Sequence, residues 1–443
     1  MRLVLPNRRF LWILPLITLN LAQAAEPSPL TLSEAIRSAL NNNPIIKKAI
    51  QKSEEAHTQL PIAISTILPT LNANGKAAYK KDSLLLSNAL FGGEVYNLYS
   101  LGMEVNQPIY QYGSLGGAVA AAKKEDEIRT FEITIAKRDL GISVLKSFYS
   151  ILVAERKLES LKKTESAQKE MLGRAEGRYR IGQEQQLDIL QMRTRLALLR
   201  PEVFKAENQL KVAATELSNL ISSSPLEGER EIRVTGTLDA VDWDRIEKKY
   251  SGDRKIPVEI EKAASATLQL EAKRRVLLSK HWPALSVFGN LDTSATKKTS
   301  LLDSEALSWA LGLKLSIPIF SGLSSVYERR ALDSQSAQLQ TDETKLRSDF
   351  SLREIQAKRQ IELSKLVIEA SLTALTHARL AAKVAETNYR LKTANYLQLF
   401  EAQKNLLEAE ASHDQARYDQ RVAIAEYFVS MGWPLLDWLE ENP

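Results

Sequence analysis

Apolar and polar residues alternate strictly in four short stretches of this chain, and between them they recur at three-and-four spacing over very long ones. Over 71–80, Leu71, Ala73, Gly75, Ala77 and Tyr79 share one face, with Asn72, Asn74, Lys76 and Lys80 mainly on the other. Over 97–106, Tyr99, Leu101, Met103 and Val105 oppose Ser100, Gly102, Glu104 and Asn106. Further on, Leu285, Val287 and Leu291 oppose Ser286, Asn290 and Asp292, and Trp309, Leu311, Leu313, Leu315 and Ile317 oppose Ser308, Ala310, Gly312, Lys314 and Ser316. Period two marks a strand with one apolar and one polar face, which predicts strand pairs at 68–80 with 97–108 and at 284–295 with 308–318. A soluble sandwich gives the same alternation. Two features favour lipid: strands of about 10 residues cross a bilayer at a tilt, and Tyr79, Tyr99, Tyr110, Trp282, Trp309 and Phe320 near their ends resemble an interfacial girdle. Backbone groups in hydrocarbon tolerate no open sheet edge, and small membrane barrels begin at about eight strands. Several copies must therefore combine, a dimer giving about eight strands and a trimer about twelve. The stretches at about 81–95 and 296–307 are the expected external loops.

The long stretches predict helices of unusual length. From Leu115 to Arg180 there is no proline, and Ile128, Phe131, Ile135, Ile142, Leu145, Tyr149 and Leu152 keep the spacing of a coiled-coil seam. Leu196, Leu199, Val203, Ala206, Leu210, Ala213, Leu217 and Leu220 keep it more cleanly, with Pro201 as a predicted kink or break. The pattern returns from Ser324 to Arg390 and from Tyr396 to Ser430, now rich in seam alanines (Ala381, Ala382, Ala385, Ala402, Ala409, Ala416, Ala423) that let helices approach closely. A plain coiled-coil spacer would account for these helices but not for the strands.

The chain also repeats itself. Residues 98–110 (LYSLGMEVNQPIY) parallel 308–320 (SWALGLKLSIPIF), with Pro108 and Pro318 210 positions apart (318 − 108), and Tyr179-Arg180-Ile181 and Tyr389-Arg390-Leu391 stand at the same offset. A fixed offset over that distance means an internal duplication. The predicted division is a signal peptide at 1–24, a first repeat at 25–221, a linker at 222–253, a second repeat at 254–430 and a tail at 431–443. The linker, with Pro225, Gly228, Gly236 and Gly252, has no clean period and is expected to fold against the middle of the helices, with Trp433 and Trp438 in the same belt.

Charge and composition remove several classes. Arg2, Arg8 and Arg9, an apolar run from Phe10 to Leu21 and the small residues Ala22-Gln23-Ala24 read as a cleaved export signal, the apolar run being short for a retained anchor. Without the leader the formal charge of +5 falls to about +2, too small to argue for nucleic acid. There is no cysteine, hence neither disulfide framework nor lipidated thiol. His57, His281, His377 and His413 are scattered, so no metal site is expected. Gly113-Ser114-Leu115-Gly116-Gly117 lacks the lysine of a phosphate loop and reads as a strand-to-helix turn. No catalytic constellation and no cofactor is expected, so an exported hydrolase with a helical arm is the weakest reading.

Taken in order, Leu32-Ser33-Glu34-Ala35 with Asn43-Pro44, Ile67-Leu68-Pro69-Thr70-Leu71, Gln107-Pro108-Ile109-Tyr110 with Ile317-Pro318-Ile319-Phe320, and Arg178-Tyr179-Arg180-Ile181-Gly182 followed by Leu187-Asp188-Ile189-Leu190 resemble the TolC family of outer-membrane efflux and secretion channels. The resemblance covers nearly the whole mature chain. It implies a mixed α and β membrane protein: a long α-helical barrel of coiled-coil-like hairpins, continuous with a four-strand contribution to a trimeric 12-stranded transmembrane β-barrel. It further implies a homotrimer in outer-membrane lipid with its tunnel in the periplasm, a periplasmic adaptor, and an inner-membrane RND, ABC or MFS transporter. The adaptor-binding tips map to Ile181, Gly182 and Gln183 and to Leu391, Lys392 and Thr393, where Lys392 departs from the family's usual glycine. An acidic constriction maps to Asp188, Gln191, Gln398 and Glu401. The expected function is a passive exit duct of a tripartite pump or type I secretion system; the alternative is an exported coiled-coil protein bridging the envelope without a pore.

Overall fold

A computed structural model of the chain describes residues 29–81, 95–222, 232–250, 255–297, 299, 301, 303–320 and 322–441. The leader with its cleavage near Ala24, the loop between the first two strands, and Pro225, Gly228 and Gly252 of the linker lie outside them.

The first helix, α1 (Leu32–Asn42), starts at a capping box: Thr31 Oγ1 accepts from the Glu34 amide at 3.4 Å, and the Glu34 carboxylate accepts from the Thr31 amide at 3.0 Å. These contacts satisfy two of the amides every helix start leaves unpaired. Asn43 ends α1 and starts α2 (Pro44–Ser65): its Oδ1 accepts from the Ile45 amide at 2.8 Å, and Pro44, which has no N–H to lose, takes the first helical position. Asn43 Nδ2 also donates to the Leu220 carbonyl at 2.9 Å, so the break between the two helices is fixed against a third.

Four strands follow the alternation: β1 (Thr70–Lys81), β2 (Val95–Gln111), β3 (Ala284–Ala295) and β4 (Leu307–Ser316). They form one antiparallel sheet in chain order. The register sets Leu71 opposite Val105, Val105 opposite Gly289, and Gly289 opposite Leu311. The next row runs Ala73, Met103, Leu291, Trp309. Directly opposed residues share a face, so the apolar sides of all four strands merge into one, with Leu71 69 %, Leu311 73 % and Leu313 68 % exposed. The two prolines of the repeat act differently. A register shift between Pro108 and Tyr110 lets β2 run on to Gln111, three residues past the expected 108. No such shift exists in β4, which stops at Ser316, short of the expected 318 and of Pro318, whose nitrogen cannot join a ladder.

The helices that leave the sheet are α3 (Ser114–Arg180) and α7 (Ser324–Arg390), each 67 residues and therefore about 100 Å long. Each returns through a 36-residue partner, α4 (Gln186–Ile221) or α8 (Tyr396–Met431). The second long pair is preceded by α6 (Val258–Ser279). Ion pairs fix the lateral order. Lys162 to Glu207 joins α3 to α4, and Arg156 to Asp414 joins α3 to α8, both antiparallel. Nearer the sheet, Lys262 to Glu132 joins α6 to α3, and Arg274 to Asp333 joins α6 to α7. Thus α2 and α4 share one flank of α3, α6 and α8 share the other, and α7 lies beyond them. Pro201 neither breaks nor ends α4: it sits on the exposed side, within an unbroken helix. Most predicted seam residues are buried or half-buried, but Ala381 is exposed, because Ala382 takes the inward position one residue later. Among the described residues no helix is long and apolar enough to cross a membrane.

Midway along, α1, α3, α8, the short α5 (Trp243–Tyr250) and α9 (Leu435–Glu441) enclose the main core, containing Phe148, Tyr149, Leu217, Leu238, Trp243, Phe428, Trp433 and Trp438. A parallel bridge between Leu30 and Val234 closes the belt. Helix α5 inside the linker has no counterpart among the elements expected from periodicity, since eight residues are too few to show a helical period. Arg421, 5 % exposed, ties the linker down through the Thr237 and Asp239 carbonyls, both at 3.2 Å, and donates to the Tyr149 hydroxyl at 2.5 Å.

Candidate functional site

Both long helices end, far from the sheet, in the same tight turn. After Ile181, Gly182 takes φ +73°; its amide donates to the Tyr179 carbonyl at 2.9 Å, and the Gln183 amide donates to Arg178 at 2.9 Å. After Leu391, Lys392 takes φ +61°, with its amide on Tyr389 at 3.1 Å and the Thr393 amide on Asn388 at 2.9 Å. These are Schellman turns, whose left-handed residue is ordinarily glycine because a side chain there is strained. Lys392 therefore keeps the geometry expected of a glycine. Its Nζ reaches the Gln183 carbonyl at 3.1 Å, joining the two tips.

Behind the tips is a small core of Ala175, Ile189, Met192, Tyr389, Tyr396 and Leu399. Arg178 Nε donates to Glu184 at 2.8 Å, and its guanidinium lies 3.3 Å from the Tyr389 hydroxyl. Burial above all, then the Glu184 and Asp188 carboxylates, push the Tyr389 hydroxyl up to about 12 while Arg178 pulls the other way. Asp188 is half-buried, and burial followed by Glu184 raises its carboxyl above the ordinary range. Gln191, Gln398 and Glu401 are exposed; of the four expected constriction residues, only Asp188 belongs to this cluster. The Gln398 amide donates to Asn395 Oδ1 at 3.0 Å, capping α8. Sequence reasoning missed Arg178 and Glu184 as partners of Tyr389. The signal was present in the repeated Tyr-Arg before each tip, where Tyr179 is 43 % exposed but Tyr389 only 9 %.

An exposed apolar sheet face at one end, tight exposed turns at the other and some 100 Å of helix between them suit a protein that reaches from a membrane well into the aqueous space beside it. A profile of the outer membrane efflux protein family matches residues 35–223. The chain is 22% identical to the outer membrane protein TolC of Vibrio cholerae over 90% of each chain. It is 21% identical to a probable outer membrane lipoprotein of Salmonella typhimurium, SilC, over 90% of this chain and 85% of that one. In three dimensions it superimposes on the CmeC outer membrane channel of Campylobacter jejuni with a TM-score of 0.77 at 16% identity, covering 90% of this chain and 85% of that one, a likeness of fold. The chain is thus similar to the outer membrane efflux proteins over residues 35–223 and to a TolC channel over most of its length.

Proposed function

We propose that the protein is the outer-membrane exit duct of a tripartite efflux pump or type I secretion system, built from three copies. The carrying observation is the single four-stranded sheet whose apolar face is exposed and whose outer strands, β1 and β4, each pair on one side only among the described residues. Such edges are stable in lipid only when another copy completes the ladder. Three sheets of four strands make a barrel of about twelve, within the known size range. Below it each copy offers four helical columns (α2 with α4, α3, α6 with α8, α7), and equal helix lengths in the two halves, 67 and 36 residues, support a duplicated origin.

In this reading Ile181, Gly182 and Gln183 with Leu391, Lys392 and Thr393 meet a periplasmic adaptor, which couples the duct to an inner-membrane transporter of the RND, ABC or MFS type. Asp188, Gln191, Gln398 and Glu401 narrow the entrance. Like charges gathered there from three copies would favour cations. With no site for an energy-rich nucleotide expected in the chain, the driving force comes from the transporter. The test is planar-bilayer recording of the purified oligomer: ion current is the expected result, and its absence from correctly folded oligomers would replace the duct by an envelope-bridging protein without a pore.

A further inference from the structure

His413 lies in α8, 17 residues from that helix's start at Tyr396 (413 − 396) and so about 26 Å above the tips. It is 4 % exposed. Its Nδ1 is 2.9 Å from Ser371 Oγ on α7, and Ser371 in turn donates to the Ile368 carbonyl at 3.0 Å. A hydroxyl has one proton to give, so Nδ1 carries the imidazole proton and donates to Oγ. That leaves Nε2 as a bare lone pair, buried and without a hydrogen-bond partner among the described residues.

The surroundings are poor for a second proton. His413 lines a groove of about 1970 Å³ over α3, between α4 and α8. Arg156 faces it from α3, Arg379 from α7, and Arg417 from α8 itself; Asp414 is the carboxylate that acts against them. Arg156 holds Asp414 at 2.9 Å, Arg379 lies 3.8 Å from Glu410, and Ser160 of α3 also bonds Glu410. Glu216 lines the groove from α4. The nearest carboxylates are thus already engaged by arginines.

We propose that His413 is a proton-operated latch of the helical wall: neutral, it clasps α7 to α8 through Ser371, and protonated, it loosens them between the belt and the tips. Charge at Nε2 would be buried without a partner, which is costly, and three guanidinium groups would repel it. Burial first and Arg417 next hold the imidazole below its ordinary range, with Asp414 opposing and Arg379 and Arg156 adding to the depression. The sign follows: the unfolded or opened state binds the proton more readily, so the clasp is intact above the ordinary histidine range and is lost as pH falls through the depressed value. The latch concerns the wall alone and holds whether or not the protein conducts.

The experiment is amide hydrogen exchange of the intact oligomer, corrected for intrinsic rates, at about pH 7.5 and pH 5. Protection over 366–380 and 408–420 is expected to fall roughly tenfold on acidification, while the belt at 213–220 keeps its protection. In His413→Asn, whose amide can still donate to Ser371 but cannot titrate, the loss should disappear. An equal loss in H413N, or none in the native chain, overturns the proposal. If that variant fails to assemble, exchange at the histidine ring C2 position of the native protein decides instead. His413 must titrate below the ordinary histidine range; titration within that range refutes the latch.

Discussion

Among the described residues, Leu323 (φ +64°) and Lys392 (φ +61°) are the non-glycine residues with left-handed backbones. Each stands 210 positions after a left-handed glycine, Gly113 (φ +64°) and Gly182 (φ +73°). A side chain at such a position costs about 1–2 kcal/mol, so the second half tolerates strain at both ends of α7 that the first half avoids at both ends of α3. Neighbouring residues at the tip also control charge. Because burial and then Glu184 raise the Asp188 carboxyl, the ionised form is the disfavoured one. Its contribution to stability is therefore present below the ordinary aspartate range and lost as pH rises through the raised value. D188N is expected to melt at a higher temperature than the native oligomer at pH 7, with the difference vanishing in acid; thermal scans at the two pH values check it. A D188N oligomer less stable at neutral pH would mean that the carboxylate gains more from contacts than it loses to burial.

At the scale of elements, close approach decides where the columns meet. A Cβ on Gly117 of α3 would lie 2.9 Å from the Ala272 carbonyl oxygen and 2.9 Å from Val276 Cγ2 of α6, so neither backbone nor side chain leaves room. G117A should cost about 1–3 kcal/mol by forcing the two helices apart, read as a lower midpoint in chemical unfolding. Gly173 has open space in the same helix and makes the control. Gly117 was legible in the sequence only as part of a turn. Its helix-packing role depends on α6, which is 141 residues away at the Val258 start (258 − 117), and no local pattern carries that distance. The strands were legible because period two is local and strong, as was the Gly182 turn. The cross-helix partners were not. Arg178 with Tyr389, or His413 with Ser371, are joined by the vertical alignment of neighbouring helices, which the spacing of residues along one helix leaves undetermined. The Asn43-Pro44 pair, noted only as a motif, proves to be a cap, a helix start and a tie to Leu220 at once.

For the whole molecule, the two faces of the sheet should answer differently to charge. Leu313 lies on the exposed apolar face and Lys314, its neighbour, on the other. L313R is expected to cost about 2–4 kcal/mol per copy near the bilayer midplane and to lower the yield of assembled oligomer extracted from membranes. K314E should assemble as the native chain does and shift the ion selectivity of the bilayer current. Equal assembly of both variants would remove the apolar face from lipid. The columns below the sheet are also unequal. Two spars, α3 and α7, run unbroken from the sheet to the tips, whereas their neighbours are each made of two stacked pieces, α2 over α4 and α6 over α8, with a joint at the belt. A jointed column can swing its lower half without levering on its upper half. If the chain is the duct proposed above, displacement at the tips would be absorbed at the belt, leaving the sheet still while the far end moves.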